Sequence, residues 1–286
     1  MSIFKRLSSL SGLWVLLAVS TGTPLNVFAG HSWNGYHWLK TSTSKVNLSI
    51  NDNISYSSSG SWVGILQPVI DEWNNTDGKC NDSTLCPTPP LTLTKGNGNN
   101  LLNQRKCPPK LGAVEVCNTT YGRNGWLGIA SVWVSSSHIT QGTVKLNDSY
   151  FNTTTYNKPV WKNLVLCQEL GHTFGLDHQD ENFSNPVLST CMDYTGTNNN
   201  PAANQYPNKH DFDQLITIYG NHNDAASSTS STTATPGKAP PEVFYDMNEP
   251  SQWGRLVRRS RNGRNEVYEL HIGGGHRIFT FVIRAE

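Results

Sequence analysis

The chain has 286 residues, of which 15% are charged, and a formal net charge of +1. That length allows one large domain plus a small one, with ample core for independent folding. A surface so nearly neutral makes no field that would draw nucleic acid or an anionic membrane, so neither is expected as a partner.

Residues 1–29 read as a cleaved secretory signal. Lys5 and Arg6 form a charged start, Leu10 to Ser20 a short apolar core, and Val27-Phe28-Ala29 a small-residue cleavage site. The apolar core is too short to cross a bilayer, which takes roughly 20 residues. No other segment is long and apolar enough, so the expected product is a soluble monomer exported to the periplasm or the extracellular space. In an oxidising compartment the six cysteines are read as disulfides rather than metal ligands. Sequence leaves several pairings open, and proximity suggests Cys80 with Cys86, Cys107 with Cys117, and Cys167 with Cys191.

Past the signal, His31 to Trp38 is rich in aromatics that should pack on the main domain, and His31 and His37 are read as surface or packing histidines. Lys45 to Ile50 alternates polar and apolar residues like a half-buried strand. Trp62, Ile65, Leu66, Val69, Ile70 and Trp73 recur at helical spacing and predict a core-facing helix over Ser61 to Asn74, with Ser59 or Ser61 as its cap. Further strands are expected at Leu91 to Thr94, Val114 to Val116, Trp126 to Val134 and Gly142 to Leu146. A last helix is predicted from Lys209 to Tyr219, capped by Asn208, with Leu215, Ile216 and Ile218 turned inward and His210 at the surface.

Residues 223–241 shift to Ser, Thr, Ala and Pro and read as a linker. Residues 242–286 then form a small β-rich C-terminal module with strands at Trp253 to Val257, Glu266 to Ile272 and Arg277 to Ile283. It is marginal for a core of its own, and can pack on the rest of the chain or bind something outside the cell. The arginines at 255, 258, 259, 261 and 264 are read as a solvated strand and turn.

The most informative stretch runs from Leu164 to Tyr194. Gln168 and His172 stand four apart, so on a helix they share one face and can converge on an ion, with Glu169 to one side. Gly175 can end the helix in a left-handed conformation and return the chain so that His178 faces the same ion. Three protein ligands plus an open position make a catalytic rather than a structural metal site.

These residues resemble the metzincin zinc metallopeptidase motif H-E-x-x-H-x-x-G-x-x-H, with Gln168 in place of the first histidine. Cys191-Met192-Asp193-Tyr194 resembles the family's Met-turn. The resemblance implies an α+β, zincin-like catalytic domain over residues 30–222, built on a twisted mixed sheet with an active-site helix and a C-terminal helix. It implies one zinc ion on His172, His178 and Gln168, with Glu169 as general base, Met192 beneath the metal and Tyr194 donating to the developing oxyanion. It also implies an edge strand within Val132 to Leu146 that pairs with an extended peptide or protein substrate. A Cys167–Cys191 bridge would tie the metal helix to the Met-turn.

Gln168 is the departure from the pattern. An amide oxygen is a weaker donor to zinc than imidazole nitrogen, so affinity should fall. An active secreted endopeptidase and a catalytically silent extracellular binding protein on the same scaffold both remain, and retention of Glu169 favours the first. Gln179, after the third ligand position, leaves the subfamily open. Calcium in the Asn- and Asp-rich loops stays open, with no residue pattern in its support.

Overall fold

The computed structural model describes residues 30–41, 44–56, 62–98, 104–180, 186–193, 201–220, 223–224 and 245–285. The expected signal peptide, both serine cap candidates, Tyr194 and all but the first two residues of the 223–241 linker lie outside them. Nine strands make one mixed sheet: β1 (His37–Trp38), β2 (Val46–Asn53), β3 (Leu91–Asn97), β4 (Ala113–Thr119), β5 (Trp126–Ser135), β6 (His138–Asn147), β7 (Arg255–Arg259), β8 (Asn265–Gly273) and β9 (His276–Arg284). The spatial order is β3-β2-β4-β6-β5-β9-β8-β7, with β1 beside the start of β6. From β3 to β6 the neighbours are parallel, and from β6 to β7 they are antiparallel. With few helices beside it, this is the expected α+β class.

The helices are α1 (Leu66–Trp73), α2 (Asp148–Phe151), α3 (Pro159–Thr173) and α4 (Lys209–Tyr219). In α1, Leu66, Val69, Ile70 and Trp73 are buried, a stripe at helical spacing that faces the sheet. Pro159 occupies the first turn of α3, where its missing N–H breaks no bond. From Trp161 to Thr173 every residue of α3 is buried, so this helix is enclosed all round rather than lying on a surface. Asn208 caps α4 as expected: its side chain accepts from Asp211 N–H at 3.2 Å, and Asp211 accepts from Asn208 N–H at 2.8 Å. Phe212, Leu215 and Tyr219 form its buried face, whereas Ile216, one step further round the helix, is exposed.

The expected proximity pairings hold: Cys80–Cys86, Cys107–Cys117 and Cys167–Cys191 are disulfides.

The three C-terminal strands fall close to their expected positions. Gly273, Gly274 and Gly275 join β8 to β9 with φ of 83°, 59° and 80°, a run of left-handed conformations that side-chain-bearing residues adopt only with strain. These strands continue the main sheet, because β9 pairs antiparallel with β5 from Trp126 to Ser135. Phe279 and Phe281 of β9 enter the core shared with α1 and α3. On the other sheet face, Ile278 and Val282 pack with Trp126, Trp133, Met247 and Trp253 in a second cluster. A segment too short to build a core borrows one by adding strands to an available edge. One expectation is corrected here: β5 and β6, which span Val132 to Leu146, are both paired on either side, so neither is a free edge for an extended substrate.

Candidate functional site

The end of α3 is shaped by backbone geometry. Phe174 caps the helix and Gly175 follows with φ of 99°; a Cβ at Gly175 would also collide with the Tyr36 carbonyl. The chain turns there, with Leu176 N–H donating to Gly171 O at 3.2 Å, and brings His178 back to His172. The two imidazole centroids lie 4.6 Å apart, edge to face at 81°. His172 Nδ1 lies 2.9 Å from Leu176 O. A carbonyl only accepts, so Nδ1 carries the proton and Nε2 holds the lone pair a metal would use.

Gln168 and His172 stand one turn apart on the same face of α3, His178 meets His172, and Gln168, Glu169, His172 and His178 are all buried. His172 Nε2 and Gln168 Nε2 have no hydrogen-bond partner. Burial holds the His172 imidazole down at about 4, and holds His178 well below the usual histidine value, with His172 itself as the next cause. Burial raises the Glu169 carboxyl well above the usual range, and the Ala130 amide only partly opposes this. Neither Glu169 oxygen makes a hydrogen bond of good geometry. A Cβ on Gly128 of β5 would sit 2.8 Å from Glu169 Oε1, so this glycine leaves room for the carboxylate against the sheet.

Met192 is fully buried and packs on α3, where Gly171 leaves space for its sulfur. Its N–H donates to Thr190 Oγ1 at 3.0 Å and its carbonyl accepts from Gln179 N–H at 2.7 Å. The Cys167–Cys191 bridge fastens this turn to the helix. Tyr194 is among the residues outside the description, so its expected role has no structural counterpart.

The C-terminal strands close the site. The Phe281 ring of β9 stacks on His172, centroids 4.2 Å apart and 11° from parallel. Arg258 of β7 makes two hydrogen bonds to the Asp177 carboxylate, and Asp177 in turn accepts from His178 N–H at 2.8 Å. Arg258, read from sequence as solvated, is thus a part of the enclosure. His31 packs, as expected, and His210 is more than a surface residue. They stack at 4.7 Å, and His31 Nε2 meets Asp211 Oδ1 at 3.0 Å.

Among the described residues, one set of three His, Cys, Asp or Glu ligand atoms lies mutually within 4.8 Å: His37, His138 and Asp224. The sequence reading missed it because no local spacing joins residues that distant. No protein-family model matches the chain, and no curated protein matches it.

Proposed function

We propose that the chain is a secreted, zinc-dependent endopeptidase of metzincin type, with His172, His178 and Gln168 as zinc ligands and Glu169 as general base. The observation that carries this reading is the pairing of His172 and His178, their rings 4.6 Å apart and His172 Nε2 buried without a hydrogen-bond partner, at the Gly175 turn that ends the helix carrying Glu169. Two imidazoles suit zinc, and the Gln168 amide oxygen would be a weaker third donor. When bound, zinc would supply Lewis acidity toward a peptide carbonyl and acidify a water molecule. The chain's own residues do the rest. Glu169 would accept the proton of the attacking water once a bound cation offsets the burial that favours its neutral form, and Leu176 O fixes the His172 tautomer. Phe281 and Arg258 enclose the two histidines and keep solvent from them.

Cleavage of an unfolded protein substrate, with and without a zinc chelator, tests the proposal alongside Glu169→Ala. The expected result is chelator-sensitive cleavage that falls at least about 100-fold in Glu169→Ala with the thermal midpoint retained. Undiminished turnover in that variant removes Glu169 as the base. The paired outer edge of β5 and the enclosed histidines favour a second reading, a catalytically silent extracellular binding protein. Absence of any cleavage by zinc-supplied, disulfide-bonded protein would favour it.

A further inference from the structure

We propose that His37, His138 and Asp224 form a second metal site, for zinc or a similar imidazole-preferring divalent ion, separate from the cluster on α3. Strand register sets up the pair. β1 and β6 run parallel with His37 directly opposite His138, so both side chains leave the same face of adjacent strands. The third ligand arrives from beyond α4. Asp224 N–H donates to Lys40 O at 2.8 Å, and Asp224 Oδ2 accepts from Lys40 N–H at 2.7 Å. This reciprocal pair pins the carboxylate and leaves Oδ1 aimed at the histidines, 3.5 Å from His37 Nε2 and 3.1 Å from His138 Nε2. Ligand atoms about 2.0–2.1 Å from a tetrahedral zinc stand roughly 3.3 Å apart. The observed separations straddle that figure.

Hydrogen bonding also favours a cation at the centre. His37 Nδ1 lies 2.8 Å from Gly35 O, which can only accept, so the ring proton sits on Nδ1. Nε2 then faces the Asp224 carboxylate at 3.5 Å, and a divalent ion between them would be coordinated by both, with the Gly35 carbonyl as the outer partner that orients the ring. Two imidazoles and one carboxylate select zinc, cobalt, nickel or copper over calcium and magnesium, which prefer oxygen. The His138 side chain is 28% exposed, which gives an ion a path in and a position for water.

The site would act as a clip on three remote segments. His37 belongs to the N-terminal stretch that supports the end of α3: Trp33 Nε1 donates to His172 O at 3.1 Å and Trp38 Nε1 to Thr173 O at 2.8 Å. His138 opens β6, and Asp224 follows α4. Occupancy would therefore hold the N-terminal stretch against the turn that presents His172 and His178.

The test is zinc stoichiometry of the full chain after chelator treatment and calorimetric titration, for the wild type, His138→Gln, Asp224→Asn and His172→Gln. The expected result is that His138→Gln and Asp224→Asn each lose one equivalent relative to the wild type, while His172→Gln keeps that equivalent. Cobalt substitution gives a second readout, a visible d–d band assigned to this site that disappears in His138→Gln. Far-ultraviolet circular dichroism checks that each variant is folded. Wild-type stoichiometry in both folded His138→Gln and Asp224→Asn would overturn the proposal. Because the His172→Gln arm reports on α3 alone, failure of the endopeptidase reading and failure of this one are distinguishable.

Discussion

The two histidine clusters are built by opposite means. His172 and His178 come from one helix and the turn that ends it, lie within seven positions counted inclusively along the sequence, and are enclosed by Phe281 and Arg258. His37, His138 and Asp224 come from three segments far apart in the chain and meet only through the β1–β6 register and the Lys40–Asp224 pair. Burial dominates the first, lowering both imidazoles and raising Glu169. The second is less enclosed, through His138 alone, whose side chain is 28% exposed. A site of local origin can be deeply enclosed because the helix carries its ligands inward together, whereas a site assembled from remote segments depends on the packing of each.

The largest effect expected on this contrast is from Phe281→Ala. It removes the ring stacked on His172 and should destabilise the fold by about 3–5 kcal/mol. Zinc exchange at the α3 cluster should become faster while exchange at His138 stays as it was, measured by chelator-stripping kinetics; Phe281→Leu, with a smaller loss of packing, should move exchange in the same direction. Equal acceleration at both clusters would show that the enclosure is not local.

Next in size is Gly175→Ala. A Cβ there meets the Tyr36 carbonyl and a φ of 99°, so a loss of about 1–3 kcal/mol is expected, read by chemical denaturation. Zinc binding at the α3 cluster should weaken more than at His138, since His178 is placed by this turn.

The smallest effect expected is a pH slope from a buried charge outside both clusters. Lys145 of β6 donates to Asp246 O and to Asn248 Oδ1, the latter at 2.7 Å, yet burial lowers it to about 7. An unfolded lysine titrates near 10.4, so between those values the unfolded chain binds the extra proton and stability rises with pH, by at most about 1.4 kcal/mol per unit. Denaturation midpoints from pH 7 to 9 should climb in the wild type and flatten in Lys145→Met.

Sequence alone carried what depends on near neighbours. The helix carrying Gln168, Glu169 and His172, the turn at Gly175, the Asn208 cap and the glycine turn before β9 are each set by a few consecutive residues, and each has its counterpart in the fold. Side-chain burial followed less well, as Ile216 shows, because one step round a helix decides it. What escaped was pairing across distance. Nothing within β9 says that its outer partner is β5, and nothing near His37 says that His138 will lie opposite, since strand register is chosen by the whole sheet.

The place of β9 between β5 and β8 bears on how the chain reaches this state. Strands β2 to β6 can assemble in the order they emerge, but β5 must keep an unpaired edge until residues 276–284 arrive. Loop closure over so long a separation is slow, and an open, apolar edge in the meantime invites pairing with other chains. Covering the β5 edge therefore waits on β9, and a chain delayed at that step is the form most exposed to aggregation.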